Sequence, residues 1–150
     1  MQKGKLIISL DFELFWGVRD KRTLSSYGEA LRNVHSIVPK TIEMFDEHNV
    51  KATFATVGFL FAESKKELYE YIPNTKPQYF DKNLSPYGDA LSIVKNHSDE
   101  DSYHYAPSLI DTILKGENHE VGTHTFSHYY CLEPGQDVEA FEMDLKAATK

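Results

Sequence analysis

The alternation of strand-like and helix-like segments constrains this 150-residue chain more than any other feature. Leu6 to Leu10 is a short, nearly continuous apolar run bounded by Gly4 and Asp11. Such a run suits a strand covered on both faces. Val38, Ile42 and Phe45 form an apolar stripe at helical spacing. They predict a helix from Ser36 to about His48, with Ser36 as N-cap and Pro39 in the first turn, where its missing N–H costs nothing. Val50 to Val57 mixes apolar Ala52, Phe54 and Val57 with β-branched Thr53 and Thr56, which predicts a second strand. The order strand, helix, strand favours a parallel α/β unit with a right-handed crossover. Residues 11–30 read as a long loop between the first strand and the helix.

Further along, Ser64 is placed to cap a helix through Ile72, with Glu67 as capping-box partner and Pro73 as its end. Residues 73–107 form an irregular insertion rich in proline and tyrosine. It is expected to serve as a lid or binding loop, or else to be a floppy surface excursion, with a short helix at 89–95. Ser108 to Lys115 reads as a helix stopped by Gly116, and His119 to Thr123 as a third strand. A loop or single turn spans 124–136. Val138, Phe141, Leu145 and Ala148 then mark a last amphipathic helix capped by Asp137. This helix runs out at Lys150 without a stop signal, which suggests a chain cut from something longer.

Composition narrows the functional classes. The chain is 41% hydrophobic and 13% aromatic, enough for one packed domain. Its 23 carboxylates against 16 Lys and Arg residues argue against a nucleic-acid partner. No apolar stretch approaches the roughly 20 residues of a membrane helix. One cysteine, Cys131, precludes an intrachain disulfide, so the cytoplasm is the default compartment. Cys131 itself is expected to be a small buried hydrophobe, although it lies near enough to His128 to be considered as a soft ligand.

Two groups of chemistry-bearing residues occupy equivalent places in this layout. Asp11 and Glu13 follow the first strand, and His124 and His128 follow the third. Loops at the carboxyl ends of parallel strands gather on one face, so the topology can bring both groups together. Histidines four apart on one helical turn can reach one ion, and Glu13 can add a carboxylate oxygen. Two imidazoles and one acid leave a coordination position for water. Zinc suits such a set, and cobalt, nickel or manganese would also fit. The residue after His124 is Thr125, so the His-Glu-x-x-His arrangement is absent and the general base must come from elsewhere. Asp11 is the natural supply. The ordinary alternative is that both acids simply end a strand in solvent. Phe12 and Phe15 are expected in the core, whereas Trp16 is expected to offer a stacking face to a sugar ring. The remaining histidines, His35, His48, His97, His104 and His119, lack comparable context; His104 is a general-acid candidate only in principle.

The segments Ser9-Leu10-Asp11-Phe12-Glu13 and Gly122-Thr123-His124-Thr125-Phe126-Ser127-His128 resemble the first and second motifs of the polysaccharide deacetylase (NodB-homology) family. Lys51 to Gly58 resembles the strand that follows the first helix there. The second motif is quite specific. The first departs from the commonest form, with adjacent aspartates, because Phe12 separates Asp11 from Glu13. The resemblance spans most of the chain and implies a distorted parallel (β/α) barrel, incomplete here, with residues 1–150 as its N-terminal portion. It implies metal-dependent removal of N-acetyl groups from carbohydrate in cell-surface polysaccharide metabolism. Asp11 would be the base and Glu13, His124 and His128 the metal ligands; beside them, Trp16 and Thr125 are the expected substrate contacts. The family's third motif and its general-acid histidine would lie beyond residue 150, so this piece alone is expected to be poorly active. A half-barrel made alone would also expose strand edges and self-associate.

Two other readings remain open at this level. One is an amidohydrolase acting on a small cyclic amide or ureide, with 73–107 shaping a closed pocket. The other is a non-catalytic carbohydrate-binding or structural domain, with tyrosines of 73–107 stacking on sugar.

Overall fold

A computed structural model describes residues 4–116 and 118–150. It is a mixed α/β structure built on a three-stranded parallel sheet. The strands are β1 (Ser9–Phe12), β2 (Ala52–Thr56) and β3 (His119–Thr123), in the order β1-β2-β3. Phe12 lies beside Thr56, and Thr56 beside Thr123, so the three carboxyl ends are level. Five α-helices accompany the sheet among the described residues: α1 (Leu24–Glu47), α2 (Lys65–Tyr71), α3 (Asp89–Ser92), α4 (Pro107–Lys115) and α5 (Val138–Ala148). Among the described residues the sheet has three strands and does not close into a barrel.

β1 starts later than the apolar run suggests. Leu6 and Ile7 precede the strand and are exposed, while the strand pairs on one side only, with β2. β2 is the central strand, and Ala52, Phe54 and Thr56 alternate inward as its pleat requires. β3 matches its sequence limits.

α1 begins twelve residues before the expected start. Thr23 is its N-cap, in a reciprocal capping box with Ser26: Ser26 N–H donates to Thr23 Oγ1 at 3.3 Å and Thr23 N–H to Ser26 Oγ at 3.1 Å. Ser36 is therefore mid-helix, its hydroxyl donating back to the Asn33 carbonyl. Pro39 also lies inside the helix, where a missing N–H and a ring clash typically cost about 3 kcal/mol. Burial of Leu31, Val38 and Ile42 on one face offsets that loss.

The 73–107 segment is packed rather than floppy. It contributes buried Tyr79, Leu84, Leu91, Val94, Tyr105 and Ala106, and the expected short helix shrinks to α3. Its last part is pinned to the segment after β1. Phe15 N–H donates to the Tyr103 carbonyl at 3.1 Å, and Trp16 Nε1–H to the His104 carbonyl at 2.9 Å.

α5 is rotated from expectation. Its buried face carries Ala140, Asp144 and Ala147, whereas Val138 is largely exposed. Two alanines allow close approach, and the aspartate between them has a specific task at the neighbouring loop.

Candidate metal centre

The three strand ends deliver the site. Val57 N–H donates to the Phe12 carbonyl, and His124 N–H to the Thr56 carbonyl at 2.9 Å, so the ladder extends past the strands. Gly58 and Phe59 then donate to the carbonyls of Thr125 and Phe126. Glu13 and His124 thus stand one residue beyond adjacent rungs of one backbone network.

Glu13 leaves the strand and turns over the 3-10 segment Leu14–Gly17. Its carboxylate folds back above Gly17: a Cβ there would lie 1.9 Å from Glu13 Cδ. Only glycine leaves that space free, and no periodicity marks the position.

His124 and His128 do not share a helical turn, contrary to the spacing argument. They lie in an irregular loop with Thr125 at φ 64° and His128 at φ 56°. Leu14, next to Glu13, has φ 45°. Left-handed backbone at non-glycine residues costs on the order of 1–3 kcal/mol each, and for β-branched Thr125 it is especially unusual. Three such residues flanking one cluster mark a geometry that the surrounding structure enforces.

Asp144 is the main enforcer. Fully buried on α5, it accepts from Phe126 N–H at 2.7 Å and Ser127 N–H at 3.3 Å, and from the Ser127 hydroxyl. The stretch between the two histidines is therefore clamped by one carboxylate. Burial raises the Asp144 pKa, while the bonds from Ser127 and Phe126 oppose that rise. A polar residue centred between Ala140 and Ala147 on one helical face was the available signal.

Glu13 Oε2 lies 3.0 Å from His128 Nε2 and 3.3 Å from His124 Nε2. One ligand atom from each residue falls within 4.8 Å of every other. Two atoms each bonded to a tetrahedral zinc at roughly 2.0–2.1 Å stand about 3.3 Å apart, so the donor set has the spacing such an ion needs. Hydrogen bonding from His124, then from His128, holds the Glu13 carboxyl at about 2, against the opposing pull of burial. The same bond with Glu13 raises the His124 pKa, burial opposes it, and the charge of Asp11 adds to it. His128 Nδ1 is buried without a hydrogen-bond partner among the described residues, so they supply no outer acceptor for that ring nitrogen.

Asp11 is exposed at the end of β1 and stands outside the three-residue cluster. Its charge nevertheless reaches His124. Thr125 is half-buried, and its hydroxyl is engaged within the loop: it donates to the His124 carbonyl and accepts from Tyr129 N–H at 2.7 Å. It shapes the turn rather than presenting a free hydroxyl to substrate.

Trp16 departs most from expectation. It has no exposed surface, packs edge-on against Phe59 at 4.5 Å, and gives its N–H to the His104 carbonyl. A large aromatic with its polar atom satisfied is a core residue, so it offers no stacking face. His104 is equally enclosed. Its Nδ1 lies 2.9 Å from both Asp101 oxygens, which excludes it as a solvent-facing acid in this structure. Cys131 is exposed and outside the cluster, not a buried hydrophobe. Tyr79 and Tyr105 are buried, which removes them as sugar-stacking platforms.

Comparison with known proteins finds no matching family model, no matching curated protein and no matching solved structure.

Proposed function

We propose that this chain is a metal-dependent hydrolase that removes N-acetyl groups from carbohydrate. The observation that carries the reading is the convergence of Glu13 Oε2 on the Nε2 atoms of both His124 and His128. In this reading those three residues hold a divalent ion, zinc by preference, which supplies Lewis acidity toward an acetamide carbonyl and its attacking water.

The chain's own residues do the rest. In this reading Asp11 takes the proton from the attacking water; it is not among the three clustered residues, and its charge reaches His124. In the metal-free protein, hydrogen bonds from both imidazoles lower the Glu13 pKa to about 2, so the carboxylate is already ionised for a cation to bind. The clamp from Asp144 fixes the loop that carries the imidazoles. The sequential parallel order β1-β2-β3 supports the opening part of a (β/α) barrel, and the two sequence motifs that resemble polysaccharide deacetylases fall at the strand ends that form the cluster.

The experiment is acetate release from N-acetylated chito-oligosaccharides by the protein in its full natural length, with and without chelator. Release that stops on metal removal and returns with zinc supports the reading. Release unaffected by exhaustive chelation, or absent with metal bound across a panel of N-acetylated sugars, rejects it.

A further inference from the structure

A cleft of about 710 Å³ opens between residues 15–24 and 82–93, with Arg19 in its lining. The Arg19 guanidinium carbon lies 5.3 Å from the centre of the Tyr130 ring, which lies 5.2 Å from the His128 ring. Arg19 donates to the carbonyls of Trp16 and Leu84, joining the two walls.

Arg19, Arg22 and Lys82 all line this cleft. Among the described residues none of them has a carboxylate within 4.0 Å, although Asp20 and Asp89 also line it. Arg19 is held by its two carbonyls, which leaves Arg22 and Lys82 as exposed cations without a carboxylate partner, in a chain of net charge -7. Among the described residues, Arg19 Nε and Asp20 Oδ1 are buried without a hydrogen-bond partner, while Asp20 Oδ2 lies 3.8 Å from Lys21 Nζ. The Asp20 side chain is only 7% exposed. The start of α1 faces the same cleft through Thr23 and Leu24, with no acidic residue in its first turn to neutralise its partial positive charge. Phe15, Leu24 and Ile93 add apolar surface of the kind that covers a sugar's C–H face.

We propose that this cleft binds an anionic sugar unit of the substrate, with Arg22 and Lys82 on the charged group. The assignment deepens the deacetylase reading and rests on it for the identity of the polymer, while the binding site stands on the cleft alone. The charged group is a carboxylate or a phosphate; both match the same cations.

Titration calorimetry at low salt, where screening is weak, tests it with D-glucuronate, D-glucose 6-phosphate and neutral D-glucose. Arg19 also ties two segments together, so the variants are the exposed pair R22Q/K82Q. Saturable binding of a charged sugar at least tenfold tighter than glucose, weakened about tenfold in R22Q/K82Q, is expected. The charged sugar that saturates first identifies the anion. Glucose binding as tightly as both charged sugars, or R22Q/K82Q binding them like the wild type, overturns the proposal. The titrations are repeated in chelator and with His124→Ala, where anion binding should persist; failure of the metal reading then leaves this result standing, and failure here leaves the metal reading untouched.

Discussion

The carboxylate of Glu13 occupies the space that a side chain at position 17 would need. A Cβ on Gly17 would fall 1.9 Å from both Cδ and Oε1 of Glu13. The obstruction is a flexible side chain, so Gly17→Ala should swing Glu13 away and leave the fold intact. Zinc affinity should fall about 10- to 100-fold, the range seen when a ligand's support is lost, while thermal stability changes by less than about 1 kcal/mol. Competition titration against a chromophoric chelator, beside a melting curve, reads both. Unchanged affinity would show that Glu13 does not need its cradle.

Asp144 acts on the same site from the other side. Asp144→Ala strips acceptors from two buried N–H groups and from the Ser127 hydroxyl. The cost should be about 3 kcal/mol, or a melting temperature lower by about 10 °C for a chain of this size. Asp144→Asn keeps one acceptor and should lose less. Differential scanning calorimetry of both metal-free variants orders them.

How much of this was legible in the sequence varies with the physics behind each feature. β3 and the meeting of Glu13 with His124 and His128 were legible because strand ends are local patterns and parallel strands bring their carboxyl ends to one face. The start of α1 was missed because its capping box uses Ser26, where the usual signal is Glu or Gln. Trp16 was misplaced because sequence does not show that the 101–105 segment returns to cover it and accept its N–H. His124 and His128 converge without sharing a helical turn, and the left-handed residues at 125 and 128 that bring this about leave no compositional trace. The role of Asp144 depends on a contact eighteen residues back along the chain.

The pH dependence follows from two opposed shifts. Glu13 is depressed from 4.5 to about 2, so its bonds to the imidazoles contribute stability above about 4.5 and lose it as pH falls toward 2. His124 is raised above 6.5, so its favourable interaction is complete below 6.5 and fades as pH rises through its folded value. The metal-free cluster is therefore most stabilising between these limits. Metal binding requires deprotonated imidazoles and strengthens in the opposite sense. The increment in melting temperature on adding zinc should grow from pH 5.5 to pH 8 in the wild type and be absent throughout in His124→Ala. Thermal scans across that range check it; an increment that shrinks with pH would contradict the assignment.

Asp11→Asn separates base from ligand. It should retain zinc within about twofold and lower the rate of acetate release by about 10²- to 10⁴-fold, the range for a positioned general base. Removing its charge should also lower the His124 pKa in the metal-free protein, readable by NMR titration. Loss of metal together with activity would make Asp11 a ligand instead.

The central claim is that Glu13, His124 and His128 hold one ion between them. Elemental analysis of protein purified in parallel as wild type, His124→Ala and His128→Ala tests it most directly. The account predicts close to one equivalent of divalent metal in the wild type and little in either variant. Equal metal content in all three would contradict it.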